Sequence, residues 1–259
     1  MSLAVGSALM IAIVAVRYVV VSGFFAWLTA RTGRDPHTDR TRRAAQVRRE
    51  IGWSLLSAAI YGLPAGVVGV LWQTRGWTAI YDGTPAGAGW LWLPASVLIY
   101  LAVHDTWFYW SHRWMHRPAV FRRVHAVHHD SRPPTAWAAM SFAPSEAASG
   151  AWLIPALAFV VPIHAGALML VLAIMTFNGV TNHMGWELYP RSWLDGWWGR
   201  TMITASHHHL HHRHYRCNYG LYFRFWDRAC GTDRGWAREL GHDDVAVPKV
   251  GAEPRRVAA

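Results

Sequence analysis

Cysteine and lysine are nearly absent from this 259-residue chain. Cys217 and Cys230, the only two cysteines, are too few for a disulfide framework and do not have zinc-finger spacing. Lys249 is the only lysine, so arginine supplies almost all of the net charge of +10. The arginines lie beside long apolar runs, where they more often set membrane topology than bind nucleic acid. We therefore expect no nucleic-acid partner.

Several motifs that would assign the chain to other enzyme classes are also missing from the sequence. There is no internal repeat, no Gly-rich dinucleotide-binding fingerprint, no fused cytochrome b5 domain and no H-E-x-x-H motif. The glycine-rich stretch 83–89 follows no predicted strand and opens no nucleotide-binding unit. These absences argue against a nicotinamide or flavin enzyme and against a metallohydrolase of that motif.

Apolar residues make up 53% of the chain and are concentrated in long runs. The runs 3–30 and 51–72 each predict a transmembrane helix, and a third is predicted from Trp90 to His116, where Pro118 would end it. Two further runs, 147–161 and 165–181, are separated by Pro162 and predict a hairpin with a short first arm. The predicted fold is an all-α, polytopic membrane helical bundle of about four spans, with a cytoplasmic helical metal-binding cap.

The distribution of arginine predicts the topology of this bundle. Seven arginines lie between residues 31 and 50, whereas the next connection, 73–87, holds only Arg75. The positive-inside rule then places the first connection, and with it the end of the third span, in the cytoplasm. We predict three helices in residues 1–103 with a basic cytoplasmic loop at 31–50, a catalytic domain at 104–236 that includes the hairpin 147–182, and a polar tail at 237–259.

Histidine is abundant, with 16 residues, and most lie in three short windows. The first window reads HDTWFYWSHRWMH. On a helix, His112 and His116 are separated by four residues, so their rings lie on one face and can share a metal. Asp105 lies seven residues before His112 on nearly the same face, and we expect it to accept the second N–H of a ligating ring.

The other two windows, HAVHH and HHHLHHRH, share an H-x-x-H-H pattern. Offsets of three and four residues again bring rings from adjacent turns together. With the first window they offer eight imidazoles, too many for one tetrahedral zinc but suited to two metals with positions left open. Imidazole is an acceptable ligand for iron, copper, nickel and zinc, so the ligand type does not select the metal.

The three boxes, in this order and after this membrane pattern, resemble the fatty acid hydroxylase and sterol desaturase superfamily of membrane di-iron enzymes. Further matching stretches are FYWSHRWMH, RRVHAVHHDSRPPTAWAA, NHMGWELYP and HHRHYRCNYGLYFRFWDRACGT. The resemblance implies two iron ions, with zinc possible in the isolated protein, and O2 as co-substrate. The ligands that it implies are His112, His116, His125, His128, His129, His208, His211 and His212, with His183 as an additional ligand.

The resemblance also points to residues around the ligands and to one departure. Many relatives have a histidine where this chain has Ala143, whereas the following glutamate is retained as Glu146. We expect altered contacts around the metals or the substrate there, rather than a lost metal. The candidates for contacts beside the ligands are Asp105, His104, Glu146, His207 and Asp227, and His207 is also the alternative to His208 in the last box. His37, His164 and His242 are expected not to bind metal.

The activity implied by the resemblance is hydroxylation of an unactivated C–H bond in a lipid, with desaturation as the alternative. The lipid would come from the bilayer and be a fatty acyl chain, a sterol or hopanoid, or a carotenoid. Electrons would come from an external ferredoxin or cytochrome b5 with an NAD(P)H reductase, which Arg42 and Arg43 are placed to dock. The rival class is a non-enzymatic histidine-rich membrane protein for metal binding or transport, although such proteins usually place their ligands within the spans.

Overall fold

The computed structural model describes residues 1–237, so most of the predicted polar tail, and His242 with it, lies outside the described residues. Four helices are long and apolar enough to cross a membrane: α1 (Leu3–Thr32), α2 (Arg40–Arg75), α3 (Gly89–Met115) and α8 (Ala165–His183). Between α3 and α8 lie α4 (Pro118–Val124), α5 (Ala126–His129), a 3-10 helix (Ala136–Met140), α6 (Pro144–Ala151) and α7 (Leu153–Val160). After α8 come α9 (Arg191–Asp195), α10 (Trp197–Thr201), α11 (Ala205–His214) and α12 (Phe225–Ala229). The predicted all-α membrane bundle is confirmed.

The ends of the long helices follow ordinary capping rules. The Ser2 hydroxyl accepts a hydrogen bond from the Val5 N–H at the start of α1, and Asp39 accepts from the first turn of α2. Gly33 and Gly76 end α1 and α2 in the left-handed conformation that glycine adopts at little cost. Pro118 starts α4 soon after α3 ends, as expected.

Two boundaries differ from the prediction. Residues 40–50, predicted as part of a basic loop, form the first three turns of α2, because the Asp39 cap allows the arginine-rich segment to continue the helix of the apolar run. The first arm of the hairpin consists of α6 and α7, whereas α8 is long enough to span by itself. At the far end of the bundle, two short parallel strands, β1 (Ile80–Tyr81) and β2 (Ile163–His164), connect the segments before α3 and α8.

The apolar runs of the long helices expose apolar side chains. Val20 in α1, Leu98 in α3 and Met169 in α8 are 62%, 61% and 56% exposed. Such continuous apolar exposure would be unfavourable in water and is expected of a lipid-facing surface. Inside the bundle, Val97, Tyr100, Leu101, Ile163 and Val171 belong to the main apolar core.

The histidine windows and the arginine-rich start of α2 lie at the same end of the bundle. The Arg49 guanidinium donates to the Asp130 carbonyl (3.0 Å), directly after the second histidine box. The Arg34 guanidinium lies 4.8 Å from the centre of the Trp186 ring, just after α8. The three histidine windows therefore share one end with the basic segment, and the cytoplasmic location of this end stays a prediction.

Helices α1 and α2 pack at glycines that leave no room for a side chain. A Cβ atom on Gly62 would lie 2.6 Å from the Cα atom of Ile11, and one on Gly66 would collide with the Ser7 backbone. A Cβ atom on Gly69, one turn further along α2, would meet no described atom within 4 Å. The close contact of the two helices therefore depends on Gly62 and Gly66.

Replacing Gly66 with alanine is expected to lower the free energy of unfolding by about 1–3 kcal/mol, because the new methyl group forces the helices apart. The matched change Gly69→Ala is expected to be neutral or to stabilise by up to about 1 kcal/mol, because alanine is the better helix former. Thermal unfolding in detergent measures both. Equal unfolding temperatures for the two variants would contradict the packing argument.

Candidate metal centre

The nine histidines singled out by the sequence come together in two groups. Within each group the candidate ligand nitrogens all lie within 4.8 Å of one another. The five-histidine group contains His112, His116, His125, His129 and His211. The four-histidine group contains His128, His183, His208 and His212.

Four segments of the chain supply these side chains. The last turn of α3 supplies His112, and His116 follows that helix directly. His125 lies between α4 and α5, and His128 and His129 end α5. The end of α8 supplies His183, and α11 supplies the remaining three. The two groups adjoin, since the rings of His129 and His212, one from each group, have centroids 4.5 Å apart.

Main-chain carbonyls fix three of these rings in one tautomer. A carbonyl oxygen only accepts hydrogen bonds, so the Nδ1 atom that faces it carries the proton and leaves a lone pair on Nε2. The pairs, from Nδ1 to carbonyl oxygen, are His112 to Tyr219 (2.8 Å), His183 to Gly179 (2.6 Å) and His211 to Cys217 (2.8 Å).

The Nε2 atoms of these rings point at the Nε2 atoms of neighbouring rings. The Nε2–Nε2 distances are 3.0 Å for His112 to His125, 2.9 Å for His183 to His208 and 3.2 Å for His211 to His129. His183 Nε2 also lies 3.1 Å from His128 Nε2, so one lone pair faces two rings at once. Such convergence of imidazole nitrogens is the arrangement that a shared cation stabilises.

The rings outside the spans are held neutral, as metal ligands must be. Burial, reinforced by the neighbouring imidazole of His112, lowers the pKa of His116 to about 2. Burial and the surrounding histidines lower the pKa far below its ordinary value at His125, His128, His129, His208, His211 and His212. A proton on any of these rings is therefore disfavoured, and the lone pairs are available to metal ions. The donor set fits two transition-metal ions, and it does not by itself select iron.

Glu146 contacts the ligand set directly. Its Oε1 atom lies 2.7 Å from His125 Nδ1, and the carboxylate is buried in α6. This is the arrangement in which a carboxylate orients a ligating ring and raises its basicity. Burial raises the pKa of Glu146 well above its ordinary value, and a cation held by His125 would act in the opposite direction.

Replacing Glu146 with alanine is expected to lower metal affinity by about 10–100-fold, because His125 loses the partner that orients it. Glu146→Gln keeps an acceptor for Nδ1–H and is expected to lose less affinity. Competition with a chromogenic chelator measures both, with Ser145→Ala, at the exposed neighbouring position, as the control. Equal affinity of Glu146→Ala and Ser145→Ala would contradict the assigned role.

The expectation that Asp105 accepts the N–H of a ligating ring is wrong. Its Oδ1 atom accepts the backbone N–H groups of the loop before α12, from Leu221 (3.3 Å), Tyr222 (2.8 Å) and Phe223 (3.3 Å). Seven residues are two helical turns, about 10 Å, so a shared face does not bring the carboxylate to the ring. Asp105 instead holds the loop whose Tyr219 carbonyl accepts the hydrogen bond from the His112 Nδ1–H.

The other three candidates lie beside the ligands without joining them. The Nδ1 atom of His104 lies 3.0 Å from the Tyr222 hydroxyl in the core. His207 belongs to the capping box of α11 with Thr204, so the register of the last box places His208 in the four-histidine group. Asp227 accepts from the Tyr219 N–H (2.9 Å) and the Gly220 N–H (2.8 Å) and so holds the same loop. Neither His37, which contacts Asp35, nor His164, which caps α8, belongs to either group.

Sequence reasoning did not assign the residues that fix the ligands from the backbone. The carbonyls of Tyr219, Gly179 and Cys217 have no sequence signal, because every residue has a carbonyl. Glu187 did have one, as an acidic residue in the NHMGWELYP stretch. Its Oε2 atom accepts from the Thr204 hydroxyl (2.7 Å) and the Ser206 N–H (3.0 Å), which positions the start of α11.

Comparison with known proteins is consistent with this centre. Residues 97–232, more than half of the chain, match the family model for fatty acid hydroxylases. A Delta(7)-sterol 5(6)-desaturase of Gibberella zeae is 29% identical over 204 residues, which is 78% of this chain and 61% of that protein. A Delta(7)-sterol 5(6)-desaturase of Aspergillus fumigatus is 30% identical over 228 residues, or 79% of this chain and 69% of that protein.

A lathosterol oxidase of Mus musculus is 31% identical over 189 residues, or 72% of this chain and 61% of that protein. The chain thus spans about three fifths to two thirds of the length of these relatives. No solved structure matches the chain. The matched segment contains all nine clustered histidines, and the chain belongs to the fatty acid hydroxylase and sterol desaturase superfamily.

Proposed function

We propose that the chain is a membrane oxidoreductase that desaturates a sterol or a similar polycyclic lipid, using O2 and external electrons. The observation that carries the proposal is the pair of adjoining histidine groups at the end of an apolar helical bundle. The names of the relatives favour desaturation over the hydroxylation that the sequence favoured, since they are sterol desaturases and lathosterol oxidases. Hydroxylation of the same lipid class is the second candidate, supported by the family model.

The proposed reaction needs a source of electrons. Two C–H bonds on adjacent carbons break and a C=C bond forms, which supplies two electrons and two protons. Reduction of O2 to two molecules of water takes four of each, so two electrons and two protons must come from outside. When bound, a pair of iron ions would supply the oxidant for this chemistry, which no amino-acid side chain provides. An external iron–sulfur or haem protein is the proposed donor.

The chain's own residues would hold the metals and exclude water from them. The nine histidines lie where the long helices meet the short ones, and the substrate lipid would reach them from the bilayer. Phe142 lies beside the His128 ring, with centroids 5.2 Å apart, and makes that side of the four-histidine group apolar. The outcome, desaturation or hydroxylation, would depend on which C–H bonds the chain places next to the metals.

A metal transporter is less well supported by the fold. Transport needs polar groups along the path through the membrane. In the described part of the chain, the apolar core that includes Tyr100, Leu101 and Val171 occupies the bundle between the histidines and the far end. The grouping of the histidines at one end of the bundle therefore favours a catalytic site over a transport path.

The test is mass spectrometry of lipids from a sterol-free bacterial host that expresses the chain with a reductase system and is fed lathosterol. The expected product is a sterol that has lost two hydrogens. A sterol that has gained one oxygen would instead identify the reaction as hydroxylation. His211→Ala is the inactive control. His214→Ala, at an exposed position of the same helix, is the matched control that is expected to stay active. Unchanged sterols, and unchanged host lipids, with the fully metal-loaded protein would overturn the proposed function.

A further inference from the structure

One side chain covers the outer side of the five-histidine group. The half-buried ring of Tyr215 stacks on the His129 ring, with centroids 4.7 Å apart and planes 26° apart. The Tyr215 ring also meets the rings of Phe121 and His116 edge to face, at centroid distances of 5.6 and 6.1 Å. Tyr215 therefore lies between a candidate metal ligand and the surface.

The backbone of Tyr215 is in a conformation that tyrosine rarely adopts. It follows the end of α11 with φ at 66° and ψ at −26°, a position where helices usually have glycine. The left-handed conformation costs a residue with a Cβ atom about 1–2 kcal/mol. An aromatic residue kept in such a conformation indicates a role for its ring, because glycine would satisfy the backbone better.

Arg132 connects this ring to the surface. Its guanidinium carbon lies 5.5 Å from the centre of the Tyr215 ring, within cation–π distance. Its Nε atom donates to the His129 carbonyl at 2.7 Å. The exposed Arg132 side chain thus contacts both the covering ring and the backbone of a candidate ligand.

A cationic cleft of about 400 Å³ opens beside Arg132. Arg42, Ala45, Gln46 and Arg49 form one wall, since offsets of three, four and seven residues lie on one face of α2. The other wall consists of Asp130 and Arg132, so three arginines face one carboxylate. Arg43, predicted as a docking residue, does not line the cleft and is paired with Asp35.

Exposed arginines also flank Tyr215 and Phe121 in the sequence. The exposed arginines next to these two residues in the sequence are Arg122, Arg123, Arg213 and Arg216. This arginine surface, defined as the cleft together with those four residues, is the kind of surface that attracts an acidic protein from solution.

We propose that the arginine surface docks an acidic electron-carrier protein, and that electrons enter the centre beside Tyr215 and His129. This inference rests on the proposed function, which requires two external electrons per turnover. Carboxylates of the carrier would pair with Arg42 and Arg49, and its exposed redox group would lie against Tyr215. Two reduced carriers would each be oxidised by one electron, and two protons would come from water.

The first test measures binding, which does not depend on turnover. The probes are an acidic [2Fe–2S] ferredoxin and the soluble haem domain of a cytochrome b5, each added to the zinc-loaded protein in neutral detergent. The double variant Arg42→Glu, Arg49→Glu is expected to weaken binding by at least about tenfold and to reduce its salt dependence. The matched control is Arg48→Glu, an exposed arginine of α2 outside the cleft, which is expected to change binding less than about threefold.

The second test separates docking from electron entry. Tyr215→Gly removes the ring and the cost of its left-handed backbone. It is expected to weaken carrier binding less than about threefold, while slowing reoxidation of the reduced carrier in stopped-flow measurements by about tenfold or more. Tyr215→Phe keeps the stacked ring and is expected to behave like wild type. Unchanged reoxidation in Tyr215→Gly would overturn the role of the ring.

Two results would overturn docking at this surface. One is equal carrier binding by wild type and by the double variant. The other is loss of binding to vesicles of anionic lipid by the double variant while its carrier binding stays normal, which would assign the surface to lipid headgroups. Turnover with dithionite as reductant is the separate check on the proposed function: if the wild type fails there, the catalytic proposal fails, whereas a docking defect alone leaves dithionite turnover intact.

Discussion

Replacing His211 with alanine is expected to abolish turnover, with a loss greater than the 10–100-fold that follows removal of an outer partner of a ligand. His211 Nδ1 donates to the Cys217 carbonyl, so its Nε2 lone pair is fixed toward His129. Alanine removes that nitrogen from the five-histidine group and leaves the four-histidine group complete. Elemental analysis should therefore show the metal content falling from about two ions per chain to about one.

Two neighbouring histidines provide the controls for this prediction. His214 is exposed on the same helix, so His214→Ala should retain both metals and full activity. His207 caps α11 through Thr204, so His207→Ala should lower stability by about 0.5–2 kcal/mol and leave metal content unchanged. Two metals per chain in purified His211→Ala would contradict the ligand role of His211.

Replacing Asp227 with alanine is expected to destabilise the protein by about 3–5 kcal/mol, because it removes a buried charged acceptor from several donors. The carboxylate is fully buried and accepts from the Tyr219 N–H, the Gly220 N–H and the Thr232 hydroxyl (2.7 Å). Each of these donors would remain in the interior without its partner. A large fall in the thermal unfolding temperature of the detergent-solubilised protein is the measurement.

The effect of Asp227→Ala on the metals should follow from the loss of structure. Asp227 holds the loop whose Tyr219 carbonyl fixes the His112 tautomer, so metal loss should accompany unfolding of this loop. Asp195→Ala is the control, because its side chain is 59% exposed and its pair with Arg191, at 3.8 Å, is worth less than about 1 kcal/mol. Similar unfolding temperatures for the two variants would contradict the role of Asp227.

The elements and the histidine set were largely predictable from the sequence. The apolar runs and the prolines between them predicted the bounds of α1, α3 and α8 to within a few residues, because a bilayer requires continuous apolar helices. Histidine offsets of three and four residues predicted which rings lie together, because they reflect helical periodicity. Both features are local, so a single sequence contains them.

The contacts that organise the centre depend on tertiary structure and could not be read in the same way. The prediction for Asp105 failed because the nearest acceptor for His112 comes from Tyr219, more than a hundred residues later. The start of α2 was missed because the arginine run was taken as a loop, although Asp39 caps it as a helix. Buried Glu50, whose carboxylate contacts Gln46 and Thr135, was missed because it directly precedes an apolar run and was counted with the basic segment.

The order of the ligands along the chain has a consequence for biosynthesis. The ligands from His112 to His183 have been synthesised once α8 is made. Helix α11 and the loop held by Asp105 and Asp227 are synthesised later. Because chains are made from the N-terminus, all four long helices can enter the membrane before either histidine group is complete. Neither group can therefore have its full set of ligands until residues 205–233 dock onto the long helices.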